Sequence, residues 1–358
     1  MPLKVGIVGM GGIGNGHASC YKNDSLAELV AVCDVVKAKA DKSAEEFGVK
    51  AYYSLKEMLK AHPELDVVDV TTSGYENGGW HYLPAMEALD AGKNVLVEKP
   101  MSNEVTEARE MVAFAKQKDL YLGCNLNHFF TQTADRALSY MAEGKIGEPV
   151  YLLQKMGFSG GEAGYGGKQS PRWDRPYSHV KAFLAHPFSI LRRFGGNITH
   201  IQAFLTKPGV RKSAGDLMLS INSVNMMFEN GAVGYLLSQR GDAHFGLGGW
   251  WSFEMAGTKG TFCIENCVEK MTYWTVGQEP EVYDTGITDF GATFPSRIHA
   301  YLEDVTNGVS KQFIRASGYD ALATLEYTFA VIESYENGGA MVRPHPLPNR
   351  HGDPSVVW

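Results

Sequence analysis

The chain has 358 residues, 44% hydrophobic and 20% charged, which is longer than one hydrophobic core usually supports and too apolar for a disordered or coiled-coil protein. Its 33 basic against 40 acidic side chains leave a formal charge of −7, a balance that argues against nucleic acid or an anionic membrane and for a small-molecule partner. Five cysteines, at positions 20, 33, 124, 263 and 267, form no CxxC pair and are too sparse for a disulfide scaffold, which suits a reducing cytosol. Cys263 and Cys267 lack a second ligand pair, so no metal site is expected.

The first residues run straight into a β-type segment without a signal peptide, and no apolar stretch approaches a membrane span; the expectation is a soluble, cytoplasmic protein. In chain order, β-type runs at Lys4–Val8, Leu29–Cys33, Val67–Thr71, Asn94–Val97 and Tyr121–Leu122 alternate with helical stretches. These helices begin near Ile13 and cover Val35–Phe47, Leu55–Ala61, His81–Ala91 and Glu104–Lys118. Alternation of apolar strands with helices predicts a doubly wound parallel sheet. After about residue 148 strands follow strands: Val150–Met156, Ile198–Thr206, Leu217–Phe228, Ala232–Gln239, Trp250–Gly257, Thr261–Glu265 and Met271–Thr275. Asn230-Gly231 and Gly257-Thr258-Lys259-Gly260 supply turns between them, predicting an open, mostly antiparallel sheet. Two late helices, Pro295–Asn307 and Tyr319–Asn337, close the chain. The expected organisation is α/β: a doubly wound parallel domain over 1–124 and an α+β domain with an open, mostly antiparallel sheet over 125–358.

Gly9-Met10-Gly11-Gly12-Ile13-Gly14 places a GxGxxG directly after the first strand and at the start of a helix, and Asp34 ends the second strand twenty residues later. Gly9 permits the tight turn, Gly11 lets backbone approach a pyrophosphate, and Gly14 allows close helix packing while the helix N-terminus faces negative charge. Asp34 is an acceptor for ribose hydroxyls, and with Val35 and Val36 behind it no arginine neutralises a 2′-phosphate; NAD is expected over NADP. Glu98-Lys99-Pro100 follows the run Asn94–Val97, at the sheet edge where ligands bind. There Lys99 can donate to a substrate oxygen with Glu98 tuning it, or form part of an ordinary exposed turn.

These motifs, together with the stretch from His81 to Pro100, Glu143–Val150 and Gly257-Thr258-Lys259-Gly260, resemble the Gfo/Idh/MocA family of sugar and inositol oxidoreductases. The resemblance covers nearly the whole chain in the expected order. It implies a Rossmann NAD-binding domain over 1–124 and a substrate-binding and oligomerisation domain over 125–358, a tightly held nicotinamide cofactor, Lys99 as the catalytic lysine, Glu98, Thr71, Thr72 and His81 as cofactor contacts, and a homodimer or homotetramer formed through the open C-terminal sheet. After Thr72 the chain departs from the family's Thr-Pro-Asn, reading Ser73-Gly74-Tyr75-Glu76-Asn77-Gly78-Gly79.

The family's Asp-x-x-x-His motif survives only as Ala182-Phe183-Leu184-Ala185-His186. His186 is an acid/base candidate because imidazole changes charge near neutral pH. On a helix His179, Ala182 and His186 share one face, so His179 is a candidate to replace the missing carboxylate; capping the helix start is its alternative role. His128 stands where many relatives carry an arginine. The glycine-rich loop 157–178 offers Arg172, Trp173, Arg175 and Tyr177, an aromatic among charged donors suited to a sugar, or alternatively a solvated loop of mutually paired charges. Trp250-Trp251 reads as strand packing. The function expected is an NAD-dependent dehydrogenase of a secondary alcohol on a sugar, cyclitol or glycoside. Two alternatives stand: a glycosidase using transient C3 oxidation, elimination, hydration and re-reduction with NAD recycled, and a non-catalytic nucleotide-binding regulator.

Overall fold

A computed structural model of the chain describes residues 1–75, 79–158, 175–207, 218–240 and 251–347. It divides into two compact units, Met1–Asn127 with Phe294–Leu325, and His128–Thr293 with Glu326–Trp358.

In the first unit six strands form one parallel sheet: β1 (Leu3–Val8), β2 (Ala27–Cys33), β3 (Lys50–Tyr52), β4 (Val67–Val70), β5 (Asn94–Val97) and β6 (Leu122–Cys124). Their order is β3-β2-β1-β4-β5-β6, so the winding reverses between β1 and β4, where ligands of such sheets bind. Val5, Ile7, Val67, Val68, Val70, Val95, Leu96 and Val97 are wholly buried, as strands covered on both faces require. Helices Gly12–Lys22, Lys37–Phe47, Leu55–Ala61, Tyr82–Asp90 and Val105–Gln117 make the crossovers. The short strand β3 was not expected from the sequence.

The expected division at 124/125 placed everything later in a second domain, whereas Phe294–Leu325 returns to the first unit. Ile298, Tyr301, Leu302 and Ile314 complete its core beside Val5, Ile7, Tyr21 and Leu96. Arg297 Nε donates to Cys124 O at 2.9 Å, and Cys124 N to Ala316 O at 3.0 Å. An amphipathic helix announces its apolar stripe but not which sheet it covers, hence the difference.

The second unit is built on an eight-stranded sheet in the order β14-β13-β12-β11-β7-β10-β9-β8. The strands are β7 (Pro149–Phe158), β8 (Ile198–Thr206), β9 (Ile221–Phe228), β10 (Val233–Arg240), β11 (Trp251–Gly257), β12 (Thr261–Glu265), β13 (Lys270–Trp274) and β14 (Glu281–Asp284). Neighbours are antiparallel except β7 with β10, which run parallel. One face buries Leu152, Leu236, Phe253 and Phe262; the opposite face leaves Leu153, Phe204, Met227 and Val233 exposed. Strand β14 and helix Gln132–Ala142 were not expected. Among the described residues no helix is long and apolar enough to cross a membrane.

Candidate active site

In the first unit the candidate residues follow the carboxyl ends of the strands: Gly9 after β1, Asp34 after β2, Thr71 after β4, Glu98 after β5 and Asn125 after β6. Gly9 has φ +103°, and a Cβ there would stand 2.5 Å from Thr72 N; a Cβ on Gly14 would stand 2.1 Å from Gly9 O. Only glycine fits either position. Gly11 and Gly12, by contrast, face open space, and the helix starts at Gly12 with the amides of Gly12, Ile13 and Gly14 lacking intrahelical acceptors. The turn is thus tight behind and open in front, the shape a pyrophosphate cradle needs.

Asp34 is pinned to this turn: Oδ2 accepts from Met10 N and Oδ1 from Val36 N, both at 2.8 Å, while the Val35 side chain is 84% exposed. Thr71 Oγ1 donates to Gly9 O at 2.8 Å, bracing the turn from below, and Thr72 Oγ1 donates to Trp80 O at 2.8 Å. His81 places Nδ1 2.6 Å from Pro100 O and Nε2 2.8 Å from Thr72 O, tying together the segments after β4 and β5. Thr71, Thr72 and His81 therefore shape the loops through their own hydrogen bonds. The Lys99–Pro100 peptide is cis.

Behind Lys99 lies a group that the sequence reading missed. His17, on the first helix, is wholly buried with Nδ1 2.7 Å from Asp69 Oδ2 and Nε2 3.3 Å from Glu98 Oε1. Asn125 Nδ2 donates to Glu98 Oε1 and stands 3.1 Å from His17 Nε2; Lys99 N donates to Glu98 Oε2 at 3.1 Å. Burial opposes the His17 charge, but the Asp69 and Glu98 carboxylates prevail and push it up to about 10. Burial acts on Glu98 in the opposite sense to His17, whose hydrogen bond and charge, helped by Lys99 and Asn125, carry it down to about 2. The signal available in the sequence was Asp69 itself, a carboxylate inside the otherwise apolar strand Val67-Val68-Asp69-Val70.

A stability profile follows. His17, raised above its unfolded value, contributes fully below about pH 6.5 and loses its contribution as pH rises through about 10. Glu98, depressed, contributes fully above about pH 4.5 and loses it as pH falls toward 2. Thermal unfolding followed by calorimetry should therefore show a plateau between these limits, and the alkaline decline between about 6.5 and 10 should be shallower in His17→Gln.

In the second unit the helices Ser178–Phe183 and Ala185–Gly195 meet at Leu184. Pro187 has no N–H to offer the Phe183 carbonyl, so one continuous helix gives way to two. His186 sits in the first turn of the second helix, 7% exposed, and its ring lies 4.3 Å from that of His128. His128, on the turn Asn127–Phe129, is stacked 6.0 Å from Trp251 at 16° and lies 4.8 Å from Phe290. Cys267 Sγ is 3.3 Å from His128 Nδ1, and burial pushes the thiol up.

His179 is placed otherwise. Its Nε2 is 2.7 Å from Ser238 Oγ and its ring stacks 4.9 Å from Phe183, whose ring in turn meets His186 at 5.8 Å. The imidazole packed on His186 is thus that of His128. Tyr177, at φ +57°, donates its hydroxyl to Glu336 Oε1 at 2.7 Å, and the Arg175 carbonyl accepts from Ser178 N at 3.2 Å. Arg172 and Trp173 lie outside the described residues, as does Trp250; Trp251 is buried in β11.

The model of an oxidoreductase family with an NAD-binding Rossmann fold matches residues 3–126, the stretch that carries the glycine turn, Asp34 and Lys99. Residues 3–126 match the Gfo/Idh/MocA model. Among curated proteins similar to the chain, D-glucoside 3-dehydrogenase of Escherichia coli is 31% identical over 152 residues, 42% of this chain and 42% of that protein. Myo-inositol 2-dehydrogenase of Thermotoga maritima is 28% identical over 150 residues, 42% of this chain and 44% of that protein. The aligned stretch is thus less than half the length of these relatives. Likeness of fold to solved structures extends beyond it. A levoglucosan dehydrogenase solved with NADH and L-sorbose superposes with a TM-score of 0.82 at 19% identity, over 97% of this chain and 100% of the other. An Agrobacterium radiobacter oxidoreductase solved with NAD+, L-tartaric acid and magnesium gives 0.82 at 18%, over 96% and 98%.

Proposed function

We propose that the chain is an NAD-dependent dehydrogenase acting on a secondary alcohol of a sugar, cyclitol or glycoside. The observation that carries this reading is the row of strand ends in the first unit, where the open glycine turn, the pinned Asp34 and Glu98-Lys99 all stand on one sheet edge. The sugar and inositol dehydrogenase relatives support the substrate class. In this reading Gly9, Gly11, Gly12, Ile13 and Gly14 hold the pyrophosphate through backbone amides, and Asp34 holds the ribose hydroxyls. When bound, NAD supplies the acceptor for the hydride that leaves the alcohol carbon. Lys99 and His186 are each proposed as acid/base groups, for the hydroxyl proton or the developing oxyanion. His128, packed on His186, is proposed to assist it in place of a carboxylate at position 182 and to contact the substrate. Arg172, Trp173, Arg175 and Tyr177 are proposed to read the sugar.

A panel of sugars, inositols and aryl glycosides incubated with enzyme and NAD tests the reading, following NADH absorbance and aglycone release in the same wells. Net NADH from at least one polyol supports a dehydrogenase. Aglycone release without NADH replaces it by a redox glycosidase, and silence across the panel with NAD bound favours a regulator.

Cofactor choice is tested separately. A carboxylate facing a 2′-phosphate costs on the order of 1.4 kcal/mol, so NAD should bind at least about tenfold more tightly than NADP in calorimetry. Asp34→Ser with Val35→Arg should shift preference toward NADP, because the exposed position 35 has room for a guanidinium. Equal affinities in the unaltered protein would remove Asp34 from the ribose site.

The same reading includes a homodimer or homotetramer formed through the open face of the eight-stranded sheet, in a reducing cytosol that keeps the thiols free. Leu153, Phe204, Met227 and Val233 project from adjacent strands on that face, an apolar patch that a monomer would expose to water. Phe204→Asp with Leu153→Asp should lower the mass measured by light scattering to that of one chain. An unaltered assembly would move the interface elsewhere.

A further inference from the structure

We propose that His17 is a positioning residue for Lys99: by bridging Asp69 and Glu98 it holds the Glu98 carboxylate as an anion in one orientation beside the lysine. The inference gives a purpose to a group the proposed reaction leaves unused. Four separate elements contribute: His17 from the helix Gly12–Lys22, Asp69 from β4, Glu98 from the end of β5 and Asn125 from the end of β6. His17, Asp69 and Asn125 are 0% exposed and Glu98 is 8% exposed.

Taking two carboxylates and an imidazolium out of water is costly, and well-packed apolar side chains generally do as well for stability. What apolar side chains cannot do is fix a carboxylate beside Lys99. Glu98 is held at both oxygens: Oε1 faces His17 Nε2 at 3.3 Å and accepts from Asn125 Nδ2, and Oε2 accepts the Lys99 backbone N–H at 3.1 Å. Asp69 on the far side of the imidazole, 2.7 Å from Nδ1, supplies the second anion that keeps both ring nitrogens protonated and so lets Nε2 donate toward Glu98. A neutral side chain at 17 would leave Glu98 and Asp69 in the same buried space with no cation between them, and one of them would take a proton.

The remaining titratable groups around the pair do not replace that cation. Cys20 and Tyr21 on the helix, Cys124 on β6, and Tyr301 on the helix Thr293–Thr306 are each raised chiefly by burial and stay protonated near neutral pH. Arg297, also buried, spends Nε on Cys124 O and an Nη nitrogen on Ala316 O. Lys99 is then the cation that feels whether Glu98 is charged.

The test reads Lys99 directly and needs no substrate, so it stands apart from the reading of Lys99 as an acid/base group, on which the meaning of the inference rests. The full-length protein is pulsed with trace acetic anhydride at one fixed pH, completed with the deuterated reagent, and the Lys99 peptide is quantified by mass spectrometry against the other lysine peptides. In His17→Gln the relative labelling rate of Lys99 should rise at least about threefold, because the Glu98 carboxylate is no longer held beside the ammonium. Glu98→Gln, which removes the charge and keeps the shape, should give the same rise and serves if His17→Gln does not fold. A relative rate that stays put in either folded variant overturns the proposal and leaves His17 a packing residue. A rise in the rate combined with an active Lys99→Ala protein would instead overturn the catalytic reading and keep the positioning one.

Discussion

Lys99→Ala is expected to lower turnover by about 10² or more, the usual size of a lost acid/base or oxyanion partner, with NAD affinity within about twofold of the unaltered protein. The reason lies in the division of labour along the sheet edge. The proposed pyrophosphate and ribose contacts come from the ends of β1 and β2, whereas Lys99 follows β5, beyond β4 in the sheet order. Removing its ammonium therefore leaves the cradle of Gly9–Gly14 and the Asp34 hydrogen bonds to Met10 and Val36 in place. Steady-state kinetics under saturating substrate, with calorimetry for NAD, separates the two effects. A variant that keeps more than about a third of turnover would take Lys99 out of the chemistry.

His186→Ala should cost still more, about 10³ in turnover, because it removes the proposed base and uncovers a cluster built around it. His128 should show a milder version of the same loss, since its ring packs on His186 at 4.3 Å and is held by Cys267. His179→Ala is the informative control. With Nε2 committed to Ser238 and the ring stacked on Phe183, its loss should appear as destabilisation of about 1–3 kcal/mol, from an unpaired buried hydroxyl and a cavity, with turnover within about threefold. A tenfold loss of turnover at unchanged stability would return His179 to the catalytic group.

The doubly wound sheet and the glycine turn were legible because each rests on local grammar: apolar runs alternating with helical stretches, and Gly9 and Gly14 at positions where a Cβ would strike backbone atoms less than 3 Å away. The antiparallel second sheet was legible for the same reason, through Asn230-Gly231 and the succession of strands. The parallel pairing of β7 with β10 was not, because nothing within either strand names its neighbour. The site was legible one residue at a time and illegible in its pairings. His17 meets Asp69 across 52 positions, and His128 meets Cys267 across 139. Helical periodicity puts His179 on one face with His186, but the helix gives way at Leu184 and the partner of His179, Ser238, comes from β10, which no helical spacing could announce.

The return of Phe294–Leu325 to the first unit bears on how the chain is made. During synthesis the strands of the first sheet leave the ribosome long before the residues that cover Val5, Ile7 and Leu96, since Ile298, Tyr301, Leu302 and Ile314 emerge only after the whole of 128–293. The opening third of the protein must wait, with part of its apolar surface uncovered, until the second sheet has been translated. Such delayed closure is where an aggregating intermediate is exposed to its neighbours and to chaperones. A gene fragment stopped after Asn127 inherits that exposed state permanently, whereas a circularly permuted chain that begins at Phe294 presents the cover first.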